Sequence, residues 1–168
     1  MARRLVVMRH AKAEGEGPTD FERPLAERGH RDAAEAGTWL AAEGFEPDHA
    51  LVSAALRTRE TWASLASGAG WDLEPDFDRG LYSAEPTTAV DLISVVDDAV
   101  QSLLVLGHNP TMAYLAQLLG DGEGRRELEN ELFAGFPTCA LAVFDYDGSW
   151  ADLAEGSARL VGYHVGRA

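Results

Sequence analysis

At 168 residues the chain has room for one sizeable core, and 46% apolar residues favour a folded globule over a disordered chain. A formal charge of −14 argues against general nucleic-acid binding, which needs a basic face, and makes any local cluster of arginines informative. No run approaches the ~18 apolar residues of a membrane span, and a single cysteine, Cys139, allows neither an internal disulfide nor a multi-cysteine zinc site. One domain over residues 1–168 is expected. The apolar run before Arg9 is too short for a signal-peptide core, so a cytoplasmic protein with no membrane partner is expected too.

In chain order, Arg4 to Met8 is rich in Val and Leu and reads as a buried strand ending on Arg9-His10. After an acidic loop, Ala26 to Glu43 reads as a helix with Ala33, Ala34, Gly37, Leu40 and Ala41 on one face, and Gly44 as its stop. His49 to Ser53 is a short strand. Ser53 is placed to cap a following helix through Leu56, Trp62 and Leu65. Thr87 to Val96 reads as a third helix with Ala89, Ile93 and Val96 inward, and Ser102 to Gly107 as the clearest buried strand. Asn109-Pro110 then combines a capping side chain with proline at a first helical position, opening a helix through Met112, Leu115 and Leu119 that stops at Gly120. Two strands, "CALAVFDYDGSW" and "SARLVGYHV", close the chain. The Gly-rich pieces "EGEGP" and "GDGEG" lack the Gly-Lys-Ser/Thr ending of a phosphate-cradling loop and read as plain loops. Cys139 reads as a small strand residue, and the four tryptophans as core or rim aromatics.

Strands alternating with helices predict an α/β domain on a largely parallel sheet with an antiparallel strand at its end. Ligands in such sheets bind at the carboxyl ends of strands. That rule selects Arg9 and His10 after the first strand, Ser53 to Arg57 after the second, and Gly107, His108 and Asn109 after the third. Singly, each has an ordinary structural reading: a polar strand tip, a solvent-facing arginine, a histidine satisfying a turn. Together they place two histidines and two arginines along one edge.

That set suits phosphate. Arginines grip it through charge-assisted, often bidentate hydrogen bonds, and the helix start at Asn109-Pro110 adds positive potential. A neutral imidazole can attack phosphorus, and a second can donate to the phosphoryl oxygens. The chemistry requires neither a metal nor another cofactor. A two-histidine metal site is the competing reading, and the adjacent arginines oppose it by repelling a divalent cation.

"MRHAKAE", "SAALRTRET" and "LVLGHNP" resemble the three signatures of the histidine phosphatase, or phosphoglycerate-mutase-like, superfamily. "RPLAERGHRDA", "FPTCALAVFDYD" and the short chain resemble its SixA-like phosphohistidine phosphatase branch, over about Leu5 to Tyr163. The resemblance implies a three-layer α/β/α sandwich on a mainly parallel sheet with an antiparallel edge strand. It implies His10 as the phosphorylated nucleophile, Arg9 and Arg57 as binders of the phosphoryl oxygens, and His108 as the group completing the pocket. Arg23, in "RPL", matches an arginine near the phosphate in that branch. Two departures stand out. Ala11 follows His10 where the family usually has glycine, and "GLYSAEP" puts Ser83 where many members carry a glutamate acid. Glu85, two residues on, is the candidate proton donor, with Asp20 or water as alternatives.

The missing acid bears on the substrate. An alkyl phosphate ester expels a poor alkoxide and gains ~10² to 10⁴-fold from a general acid, whereas phosphohistidine leaves as an imidazole. The expectation is a metal-independent phosphatase working through phospho-His10 on a protein-borne phosphohistidine. The alternatives are a phosphatase of a small phosphorylated metabolite and a non-catalytic phosphate-binding module.

Overall fold

The computed structural model describes residues 2–168. The strands β1 (Arg3–Arg9), β2 (His49–Ser53), β3 (Asp76–Asp78), β4 (Ser102–Gly107), β5 (Ala140–Tyr146) and β6 (Ala158–Val165) form one sheet in the order β3-β2-β4-β1-β5-β6. The first four strands in that order pair in parallel. At the other end β5 pairs antiparallel with β1, and β6 antiparallel with β5. The antiparallel end expected from the sequence is thus two pairings deep.

Strand alternation distributes the core between two faces. Leu5, Val7, Leu103, Val105, Ala142 and Phe144 point to one side, where they meet α3 (Pro86–Ser94), α4 (Thr111–Leu119) and α5 (Arg126–Ala134) through Ile93, Met112, Leu115 and Leu132. Val6, Met8, Val52, Leu104, Leu106 and Leu141 point to the other, against Ala36 and Leu40 of α1 (Glu27–Ala42) and Trp62 and Leu65 of α2 (Leu56–Ala69). The result is an α/β/α sandwich.

Register matters more for the site than the layers do. Met8 pairs with Leu106 and Arg9 with Gly107, while Val52 pairs with Leu106 from the other side. The His10 amide then donates to the Gly107 carbonyl at 3.0 Å. Three strands therefore end level with one another.

Several local expectations are corrected. Ser53 does not cap α2: Ala55 holds that position without a side-chain bond, and the Ser53 hydroxyl is engaged elsewhere. Pro110 precedes α4 instead of opening it, and Asn109 Oδ1 accepts from the Ala113 amide at 3.2 Å. Ala41 is exposed, and Ala36 takes the buried place on α1. Cys139 lies just before β5 at φ 65, fully buried, and burial pushes its thiol up to about 12. The sequence reading contains neither β3, the three-residue edge strand Asp76-Phe77-Asp78, nor α5, whose large apolar residues are Leu128, Leu132 and Phe133 among charges.

Helices α1 and α2 pack closely because glycine faces backbone at two crossings. A Cβ at Gly37 would run into the Leu65 carbonyl, and one at Gly68 into the Ala34 carbonyl. Gly37→Ala is accordingly expected to cost about 1–3 kcal/mol, as overpacking does, despite alanine's better helix propensity. Thermal unfolding should show a Tm lower by roughly 2–10 °C.

Candidate active site

His10 follows β1 and is 8% exposed. Its Nδ1 lies 2.7 Å from the Ala11 carbonyl. A carbonyl only accepts, so Nδ1 carries the proton and Nε2 keeps its lone pair. The Ala11 amide in turn donates to Thr61 Oγ1 of α2 at 3.1 Å. Ala11 is fully buried, and its φ is not positive, so alanine stands here without strain in place of the family glycine. Burial lowers the His10 pKa to about 4, opposed by the Ala11 hydrogen bond and reinforced by the charges of Arg57, Arg9 and Arg23.

His108 follows β4, its ring 5.3 Å from that of His10. Nε2 lies 2.7 Å from Ser53 Oγ, and the ring meets Tyr82 edge-on at 5.6 Å. Burial, then the proximity of His10 and Arg57, takes its pKa to about 3. Both imidazoles are therefore neutral near pH 7 despite lying together.

Arg9 ends β1 and donates from Nη1 to the Phe136 carbonyl at 3.3 Å. Arg57, 6% exposed in the first turn of α2, donates from Nη1 to the Asp20 carbonyl at 2.7 Å and from Nη2 to Asp20 Oδ2 at 3.2 Å. Arg23 Nε reaches Asp20 Oδ1 at 3.0 Å, and its Nη1 donates to the Glu14 carbonyl at 2.6 Å. Tyr82 adds its hydroxyl to Asp20 Oδ2 at 2.6 Å. Those bonds from Tyr82 and Arg23, with the charge of Arg57, hold the Asp20 carboxyl far below the usual carboxylate range. One internal carboxylate thus rests across two of the site's arginines.

Among the described residues, four buried side-chain polar atoms find no partner within the protein, and three are Arg9 Nε, Arg57 Nε and His108 Nδ1. Native folds leave few such atoms, because each costs about 1–3 kcal/mol. All three belong to residues that surround His10.

The structure thus brings Arg9, His10, Arg57 and His108 together, with Arg23 joined through Asp20. Glu85 is exposed at the N-cap of α3 and makes no side-chain capping bond; Ser83 is exposed as well. The Thr111 hydroxyl donates to the Ala84 carbonyl, which keeps this segment beside the start of α4. Sequence reasoning did not assign Tyr82 or the Ser53–His108 contact, and it named Asp20 only as an alternative acid. The available signals were a lone tyrosine in "GLYS" and a serine closing an apolar strand. Among the described residues no cluster of three or more His, Cys, Asp or Glu is arranged to hold a metal ion.

Comparison with known proteins places this geometry. The model of the histidine phosphatase superfamily (branch 1) matches residues 5–83. An uncharacterized protein of Mycobacterium tuberculosis is 42% identical over 162 residues, covering 95% of this chain and 100% of its own. Phosphohistidine phosphatase SixA of Escherichia coli is 32% identical over 125 residues, covering 70% of this chain and 74% of its own. A solved structure from Nakamurella multipartitia, assigned to phosphohistidine phosphatase SixA, superposes with a TM-score of 0.88 at 31% identity, covering 100% of this chain and 98% of that one. The chain belongs to the histidine phosphatase superfamily, in its SixA-like branch, and is a phosphatase. None of its described helices is long and apolar enough to cross a membrane.

Two measurements follow from the electrostatics. In an NMR pH titration the His10 and His108 ring protons should show no midpoint near the ordinary 6.5; protonation should begin only as pH falls toward about 4 and about 3. Midpoints near 6.5 for both rings would contradict the buried, mutually repelling arrangement. Asp20→Asn keeps an acceptor for Tyr82 and the arginines but removes the internal anion. Two unit charges ~4 Å apart in water interact by about 1 kcal/mol, so competitive inhibition by orthophosphate should tighten roughly five-fold.

Proposed function

We propose that the chain removes phosphate from phosphohistidine on a protein, passing the phosphoryl group through Nε2 of His10 without a metal. The carrying observation is the free Nε2 lone pair set among buried, unpaired side-chain nitrogens of Arg9, Arg57 and His108. Arg9 and Arg57 are the clamps on the phosphoryl oxygens, and His108 donates to the same group as its charge shifts. Arg23 completes the mouth through Asp20, and the substrate's phosphoryl oxygens replace the Asp20 carboxylate on Arg57.

In the first step the His10 Nε2 pair forms the N–P bond as the bond to the substrate imidazole breaks; that imidazole leaves with a proton from solvent. In the second, water attacks phosphorus, the His10 N–P bond breaks, and orthophosphate departs with the remaining proton distributed to phosphate or solvent. His10 returns as the Nδ1–H imidazole held by Ala11. Retaining one tautomer through both steps is what the 2.7 Å bond to the Ala11 carbonyl provides.

Support for a protein-borne substrate comes from the surroundings. The site mouth is open enough to leave the Asp20 side chain 58% exposed. A groove of about 610 Å³, lined by Pro18, Phe21, Ala54, Leu56 and Arg59, runs along the same loop. The Escherichia coli relative, SixA, is a phosphohistidine phosphatase.

Brief incubation with a labelled phosphodonor should trap an acid-labile, alkali-stable phosphoenzyme in wild type and none in His10→Ala. A phosphohistidine protein should be turned over at least ~10² times faster than alkyl phosphate monoesters, which need the missing general acid. A His10→Ala enzyme with full activity would sink the mechanism. Preference for an alkyl monoester would sink the substrate and favour a small-metabolite phosphatase.

A further inference from the structure

We infer that Ser53 is a positioning residue that sets the tautomer of His108: its hydroxyl donates to Nε2 and thereby keeps the single ring proton on Nδ1. This rests on the reading above, in which His108 donates to the phosphoryl group.

Hydrogen-bond accounting carries the assignment. Ser53 is 0% exposed at the end of β2. Its Oγ accepts from the Ala55 amide at 3.3 Å and lies 2.7 Å from His108 Nε2, the two contacts it makes. Its backbone carbonyl is pinned by Thr58 Oγ1 at 2.7 Å, so the residue has little freedom to turn elsewhere. If Nε2 held the proton, the serine O–H would have no acceptor and Nδ1 would present a bare lone pair. Two groups would then be left unsatisfied. If the serine donates instead, only the Nδ1–H remains, and it is a donor beside His10. Buried hydroxyls find acceptors, so the second arrangement wins.

The consequence is chemical. An Nδ1–H attracts a phosphoryl oxygen, whereas a lone pair at the same place repels it. A doubly protonated His108 would donate from both nitrogens and need no such control, but burial keeps this ring neutral near pH 7. A neutral ring has one proton, and something must place it. The role parallels that of the Ala11 carbonyl on His10: both rings keep the proton on Nδ1, but the partner takes the N–H of His10 and the bare nitrogen of His108, which leaves a lone pair on one ring and an N–H on the other.

Long-range proton–nitrogen correlation spectra of the full-length, substrate-free chain test this directly. In wild type near neutral pH, His108 should show a pyrrole-type Nδ1 and a pyridine-type Nε2. The reverse pattern, or an even mixture, overturns the inference. Ser53→Ala should lose the single-tautomer signature and lower kcat on the order of 10² with a smaller change in KM, as removal of a transition-state donor does. Ser53→Thr, which keeps the hydroxyl, should retain the wild-type pattern. A folded Ser53→Ala with unchanged kcat and tautomer also overturns it. If Ser53→Ala does not fold, the wild-type spectrum alone decides. Failure of the function reading is separate: a chain without phospho-His10 but with Nδ1–H on His108 loses the mechanism and keeps the tautomer assignment.

Discussion

The pairing of β1 with β4 is the constraint on which the site depends. Because Arg9 is level with Gly107 and the His10 amide bonds the Gly107 carbonyl, the two histidines leave adjacent strands at the same height. β2 joins β4 in matching register, which sets Ser53 under His108 and starts α2 so that Arg57 turns inward. A slip of one residue in β1 would exchange the Leu5–Val7 face for the Val6–Met8 face and expel His10 from the pocket. The hydrophobic alternation that secures the core therefore also secures the catalytic geometry. Stability and chemistry share one register.

Electrostatics at this edge opposes the rest of the molecule. The chain carries −14 overall, yet Arg9, Arg57 and Arg23 gather beside two imidazoles that burial keeps neutral. Asp20 reconciles the two tendencies. Its carboxylate satisfies Arg57 and Arg23 in the absence of substrate, while the deeper Nε atoms of Arg9 and Arg57 keep no partner. Outer donors are occupied and inner ones are not. In the reaction proposed above, the phosphoryl oxygens displace Asp20 from Arg57, so the internal carboxylate holds that guanidinium in place until the anion arrives.

Much of this was legible in the sequence because the informative residues sit directly after apolar strands. Arg9-His10, Ser53 to Arg57 and Gly107 to Asn109 could be placed by the strand-end rule alone, and their spacing did not matter. What remained hidden depends on loops folding back over the sheet edge. Asp20 meets Tyr82 across 62 residues and Arg57 across 37, separations that no local pattern encodes. Ser53 reads as a helix cap because a serine before a helix usually is one, but its hydroxyl meets His108, 55 residues away. The unread elements have local causes. β3 is three residues at an edge, and α5 buries Leu128 and Leu132 along an otherwise charged helix.

The two histidines show how one residue type is given two jobs by its hydrogen-bond partner. His10 donates from Nδ1 to a backbone carbonyl, a group that can never donate back, so the neutral ring keeps its lone pair on Nε2. His108 faces a hydroxyl, which can donate, and under the inference drawn for Ser53 it takes the same Nδ1–H tautomer with the N–H, not the lone pair, left unpaired. A backbone carbonyl could not have served His108, nor a serine hydroxyl His10, without reversing the proton's place. Glu85 is exposed at the cap of α3, and among the described residues the carboxylate that contacts Arg57 and Arg23 is Asp20, which they and Tyr82 hold ionised. In the proposed reaction these groups act as nucleophile, anion clamp and oriented donor, and none of them is a strong acid. That is why the proposal favours a leaving group that departs readily, as an imidazole does and an alkoxide does not.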